Sequence, residues 1–165
     1  MRTLATLLFG LLLTLTALGP ATAAPSVRQG VAAIERQDYA RAAAILGPLA
    51  QNGNPDAQAY MGYLYEIGRG EPQDHTQAAL WYRRAAEQGQ SWAQFQLGML
   101  YDKGHGVPVD VVEAEKWLIL AAAAAPPAGA DDRSRMRDAV VTKMTRGEVA
   151  EARMRALAWR PRREQ

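Results

Sequence analysis

Cysteine is absent from this 165-residue chain, and histidine and phenylalanine occur only twice each. Without a thiol there can be no disulfide and no thiolate metal site. His75 and His105 are followed four positions on by Ala79 and Val109, so neither begins a helical metal pair. Serine is confined to Ser26, Ser91 and Ser134, and none sits in a nucleophile-elbow motif. Glu113 and Glu115 are the nearest approach to a catalytic carboxylate pair, yet their spacing puts them on different sides of a helix. No nucleophile, base and oxyanion site can be assembled from this set. The expectation is a protein with no catalytic residue, no cofactor and no metal, a cell-wall-acting hydrolase being a remote alternative.

An excess of charge of one sign is lacking too. The 19 basic residues face 17 acidic ones, which argues against nucleic acid as a partner because such binding needs a concentrated basic face. The balance conceals a gradient: residues 24–130 hold 8 basic and 11 acidic side chains, whereas 131–165 hold 10 and 6. Such a gradient is what two solvated helix faces would give. The sharper alternative is a basic C-terminal patch, centred on Arg153, Arg155 and Arg160, that meets an acidic partner or, weakly, anionic membrane.

A bilayer-spanning run is missing as well. Leu4 to Leu18 is apolar apart from Thr and Gly, but its 15 residues fall short of the roughly 20 a membrane helix needs. Arg2 precedes the run and Ala21-Thr22-Ala23 follows it, the pattern of a secretory signal peptide over 1–23 cut near Ala23. The expected location is periplasmic or secreted. An uncleaved anchor is the alternative, and lipid attachment has no cysteine to accept it.

What the chain does have is a repeat. Moved forward by 36 positions, Gly53, Ala57, Gln58, Gly62, Leu64, Tyr65, Gly68, Gly70, Pro72, Asp74, Ala78, Trp81, Ala85 and Ala86 land on Gly89, Ala93, Gln94, Gly98, Leu100, Tyr101, Gly104, Gly106, Pro108, Asp110, Ala114, Trp117, Ala121 and Ala122. A period of that length marks a solenoid, in which each unit buries its apolar face only against its neighbours.

Capping signals subdivide the units. Ser26-x-x-Gln29, Asp74-x-x-Gln77, Ser91-x-x-Gln94, Asp110-x-x-Glu113 and Thr145-x-x-Glu148 have capping-box form, and Asn54-Pro55 and Asp38 supply two more starts. They predict helices near 27–37, 39–52, 55–67, 75–88, 92–103, 111–125, 132–143 and 146–159. Pro48 should kink the second helix or split it near Gly47. The expected organisation is a first helix pair over 24–52, repeats over 53–88 and 89–125, a Pro/Gly linker over 126–131, a C-terminal capping pair over 132–160 and a tail over 161–165. In the repeats, Gly62 and Gly98 should admit a close neighbouring helix, while Gly68 and Gly104 should end helices in the left-handed conformation. Gly70, Gly106, Asp74 and Asp110 should shape the turns, and Ala78 and Ala114 should keep the second helix slim. Tyr65, Trp81, Tyr101 and Trp117 should fill the space between units.

The motif Ala-Gln-x-x-x-Gly-x-Leu-Tyr-x-x-Gly-x-Gly-x-Pro-x-Asp-x-x-x-Ala-x-x-Trp runs from Ala57 to Trp81 and again from Ala93 to Trp117. It resembles the Sel1-like repeat, a branch of the tetratricopeptide-like helical repeats. The resemblance implies an all-α, right-handed α/α superhelical solenoid of about eight helices acting as a scaffold for protein–protein contacts. Secreted bacterial members of the family imply a role in envelope signalling or host interaction. Some relatives carry a disulfide in every repeat and are linked to cell-wall-like or lactam ligands. This cysteine-free chain departs from them, and those properties do not transfer.

In such repeats the first helix of each pair lines the concave surface. Framed on Gly62 and Gly98, its outward positions would be Asp56, Ala59, Tyr63 and Glu66, then Trp92, Phe95, Met99 and Asp102. Trp92, Phe95 and Met99 would form an apolar stripe able to grip a peptide or protein segment. Core packing of the same three residues is the alternative. A monomer holding one such partner is expected.

Overall fold

Among the described residues, alanine-rich stretches with apolar residues at helical spacing fold into eight helices: α1 (Val27–Glu35), α2 (Tyr39–Gln51), α3 (Pro55–Ile67), α4 (His75–Glu87), α5 (Ser91–Lys103), α6 (Val111–Ala124), α7 (Ala130–Val141) and α8 (Arg146–Ala158). The computed structural model describes residues 25–124, 130–162 and 164. The expected signal peptide and most of the expected linker lie outside these. Among the described residues there is no strand, and no helix is long and apolar enough to cross a membrane.

The helix starts follow local hydrogen-bond chemistry. Reciprocal capping boxes form at Ser26/Gln29 and Thr145/Glu148. Asp74 and Asp110 each accept two backbone N–H bonds at 2.8–3.0 Å through one oxygen, and Asn54 accepts from the Ala57 N–H at 2.9 Å. The expected cap at Ser91 is corrected. Gln90 caps α5 through its side-chain oxygen, 2.6 Å from the Ala93 nitrogen, and Ser91 is already inside the helix. Nor does Pro48 split α2, which runs unbroken to Gln51. Both Pro48 and Ala44 are exposed, so the helix bond that proline removes falls on the solvent side, where water can replace it. α7 starts at Ala130, before the expected 132.

Consecutive helices from α1 to α6 pack on one another, as a solenoid requires. The key contact recurs in each unit: a glycine on the first helix receives a side chain from the second. A β-carbon on Gly30 would lie 2.4 Å from Leu46, one on Gly62 2.8 Å from Tyr82, and one on Gly98 2.9 Å from Leu118. Within the unit the filling side chain is thus Tyr82, while Trp81 packs between units, against the cluster that holds Ala50, Ala57, Met61 and Leu64. Tyr82 is fully buried, whereas Trp81 is half-buried and stacks under the Arg84 guanidinium, 4.5 Å from the ring centre. Trp117 is buried, and Tyr65 and Tyr101 pack half-buried against the core. Ala78, Ala85, Ala114 and Ala121 are all buried.

The long turns dock on the preceding unit. Gly68 and Gly104 end their helices at φ 64° and 70°. The second glycine of each turn lies against the start of the previous second helix: a β-carbon on Gly106 (φ 71°) would sit 2.0 Å from the His75 carbonyl oxygen, and one on Gly70 2.4 Å from that of Tyr39. This approach also brings the rings of His75 and His105 to 5.3 Å, a contact across units that the sequence does not announce.

The C-terminal helices pack on the end of the stack. Among the described residues α7 and α8 each pack on α6 rather than chiefly on each other. Arg137 of α7 bonds the fully buried Glu115 of α6 at 2.8 Å, and Arg155 of α8 bonds Glu113 of α6 at 2.8 Å. Residues beyond α8 then turn back along the stack.

Candidate partner-binding face

The first helices α3 and α5 present different residues to solvent from those the sequence frame suggested. Ala59 is fully buried in the cluster that contains Ala93 and Leu97. Its position points at the next unit, not outward. Phe95, one repeat later, does the same: with Met99 it packs on the cluster of Ala114, Leu118 and Val140, the last from α7. The expected Trp92-Phe95-Met99 stripe is therefore divided, with Phe95 and Met99 part of the packing towards α7. Asp102 is neutralised by Lys143, whose ammonium lies 2.7 Å and 2.8 Å from its two oxygens.

Trp92 faces the other way, towards α3. Its ring lies 5.4 Å from Tyr60 and 5.9 Å from Tyr63, and it meets Tyr82 edge-on at 5.9 Å and 85°. Tyr60, Tyr63 and Trp92 are each half-buried, so one side of the cluster is core and the other is open. The partly exposed row on α3 is Asp56, Tyr60, Tyr63 and Ile67, followed on α5 by Trp92, Gln96, Met99 and Lys103. Tyr60 and Gln96 were missed because the outward frame was placed one residue early at 59 and 95. The unlike pair Ala59 and Phe95 carried the clue: a position that changes size between copies is set by what the next unit offers.

Carboxylates border the rings. Burial first, then the charges of Asp56 and Glu35, raises the Tyr60 phenol above its ordinary range. Glu66 accepts a 2.7 Å bond from the Tyr82 hydroxyl and a 3.3 Å bond from Gln96. Burial, aided by Glu66, raises the Tyr82 phenol strongly, so it stays a proton donor throughout the physiological range. Glu66 thus fixes Tyr82 instead of presenting a free charge.

The proposed basic patch is dispersed. Arg155 is held by Glu113 and Glu151, and Arg160 donates to the carbonyls of Leu157 and Trp159 at 2.8 Å and 2.6 Å. Arg153 is exposed beside Val149 and Ala150. The three do not converge on one ligand.

A family model described as the Sel1 repeat matches residues 55–90 and 93–125, the helix pairs α3–α4 and α5–α6. The chain carries two Sel1 repeats. Sel1 repeats generally mediate protein–protein contacts. The fold is similar to that of a protective antigen of uropathogenic Escherichia coli strains displaying an SLR fold, with a TM-score of 0.72 and 29% identity over 79% of this chain and 28% of that one. It is also similar to a Sel1 repeat protein from Oxalobacter formigenes, with a TM-score of 0.64 and 30% identity over 81% of this chain and 54% of that one. The chain therefore spans only part of the length of either solved relative. No curated protein matches the sequence.

Proposed function

We propose that this Sel1-repeat chain is a non-catalytic periplasmic or secreted scaffold that holds a peptide or protein segment on the face formed by α3 and α5, with Tyr60, Tyr63 and Trp92 as anchors. The observation that carries the reading is the half-buried ring cluster: Trp92 lies 5.4 Å and 5.9 Å from two tyrosines on the open side of the first helices. Rings fixed by their neighbours lose little freedom on binding, and aromatic side chains dominate binding energy at protein interfaces. Asp56 and Glu35 beside Tyr60 favour a segment with a cationic or hydrogen-donating group near that phenol.

The test is a crosslinking pull-down from the native periplasm with the wild-type chain and with Tyr60→Ser/Tyr63→Ser, helix content being checked by circular dichroism. Loss of the captured partner with an intact fold is expected. An unchanged set of captured proteins refutes the assignment of this face.

A further inference from the structure

Beyond the ring cluster, the chain's own C-terminal residues occupy a second surface. After α8 the backbone leaves helical geometry at Trp159 (φ −67°, ψ 143°) and runs back across the ends of α4 and α2. The Trp159 ring stands edge-on to Trp117 at 6.3 Å and lies against Gly89, with Pro161 beside it. The Arg162 N–H donates to the Glu87 carbonyl at 2.8 Å. Glu164 then covers Gly53. Gly53 and Gly89 are equivalent positions of successive units, so each glycine between units seats one part of this strap.

The seat under Glu164 is built for a carboxylate. Arg84 donates from Nε at 2.9 Å and from Nη2 at 2.7 Å, a bidentate fork, while its other face rests on Trp81. Gln58, fully buried, donates its amide to the same carboxylate at 2.7 Å and to the Ala50 carbonyl at 3.1 Å. Gln88 fixes that amide by donating to its oxygen at 2.8 Å and to the Gly53 carbonyl at 3.0 Å. Trp81 and Gln88 thus hold Arg84 and Gln58, the two side chains that bond the carboxylate, in place within the stack.

We propose that this edge is a second binding groove, for an extended partner segment with a large aromatic ring followed five residues later by a carboxylate, and that the C-terminal strap holds the groove until such a segment displaces it. The inference goes beyond the α3–α5 face and does not depend on it. The spacing of ring and carboxylate is that from Trp159 to Glu164. One main-chain bond, an aromatic anchor over a glycine and a bidentate arginine clamp are the elements by which grooves read extended peptides.

The test uses the full chain and, as probe, a fluorescent peptide with the sequence from Ala158 to Gln165. In Trp159→Ala/Glu164→Ala the groove is vacated, and the probe should bind at least about tenfold more tightly than to wild type. Adding Arg84→Ala, or changing the probe's glutamate to glutamine, should remove most of that gain. Tyr60→Ser/Tyr63→Ser should leave it unchanged, which separates this groove from the ring cluster. Equal binding to wild type and vacated chain overturns the proposal. Should the double variant fail to fold, Glu164→Ala alone leaves the Trp159 packing intact and should still bind the probe about threefold more tightly than wild type; equal binding again overturns it. Dimerisation of the vacated chain on addition of wild type, without probe binding, would make the occupant a second copy and likewise refute a partner segment.

Discussion

Gly62→Ala and Gly47→Ala are the same chemical change in two helix interiors, and they should move stability in opposite directions. Replacing a mid-helix glycine by alanine restricts the unfolded chain and favours the helix by roughly 0.5–1 kcal/mol. At Gly47 in α2 an added β-carbon meets nothing within 4 Å beyond its chain neighbours, so that gain should appear, reduced by the crowding of the new carbon against the ring of Pro48. At Gly62 the same atom would lie 2.8–3.0 Å from three carbons of the Tyr82 ring. The ring cannot step aside cheaply: it is fully buried, and its hydroxyl is tied to Glu66 at 2.7 Å. Inserting a methyl into such a site costs about 1–3 kcal/mol. Subtracting the helix gain leaves a net loss of up to about 2.5 kcal/mol for Gly62→Ala, and the two variants should differ by up to about 3 kcal/mol. Urea denaturation followed by circular dichroism reads the difference directly, and the slope should be unchanged if the unfolded state is the same. If Gly62→Ala gained as much stability as Gly47→Ala, Tyr82 would not be seated on that glycine, and the shared packing rule for Gly30, Gly62 and Gly98 would fall with it.

Trp117→Ala should cost about 3–5 kcal/mol because its ring is only 4% exposed, whereas the half-buried Trp81 should cost about 1–2 kcal/mol; equal losses in denaturant titrations would contradict their different seats. Gly106→Ala should cost at least about 2 kcal/mol, from the left-handed backbone and the clash with a carbonyl that cannot rotate away, and a thermal midpoint at or above that of wild type would refute the docked-turn geometry. Burial raises the Glu115 carboxyl despite the bond from Arg137. The folded chain then binds more protons than the unfolded one just above the ordinary value of 4.5, so this residue's contribution falls as pH rises through that window. Glu115→Gln should therefore gain stability relative to wild type between pH 4 and 7, and a constant offset over that range would count against it. Glu164 has the opposite sign: Arg84 holds its carboxyl below 4.5, so its contribution is present above that pH and is lost on acidification. Amide exchange around Gly53 should rise as the pH drops below about 4.5, once corrected for intrinsic rates, and should be independent of pH in Glu164→Gln.

Much of the stack was legible because its punctuation is chemical. Asp74, Asp110, Asn54 and Thr145 cap helices by side-chain geometry that depends on local sequence alone, and the glycines of the long turns adopt the left-handed backbone expected of helix ends. Where a position depends on a neighbour distant in sequence, the reading failed. Tyr82 and Leu118 fill the same seat, on Gly62 and Gly98, but an aromatic and an aliphatic residue do not register as a match. Ser91 lost its cap to Gln90, one residue earlier, whose longer side chain accepts the Ala93 N–H. The candidate face was misplaced by one residue on each helix, because helix periodicity identifies the faces but does not say which of them the next unit covers.

Two nearly identical units end up in different states because their neighbours differ. Gln58 and Gln94 occupy equivalent positions, and each buries its amide by donating to the last turn of the preceding helix, at Ala50 and Ala86. The oxygen of Gln58 is met by Gln88, and its nitrogen gains Glu164. Among the described residues the oxygen of Gln94 has no partner. The difference lies 36 positions beyond Gln88, where the chain has Ala124 and no amide to offer. Among the described residues the first repeat thus has a hydrogen bond at this edge, worth about 0.5–1.5 kcal/mol, that the second lacks. The polar network and the strap over it therefore strengthen the junction between α2, α3 and α4, while the junction towards α7 relies on Phe95, Met99 and the ion pairs of α6. A repeat sequence defines the seats, and the residues outside the repeat decide which of them are filled.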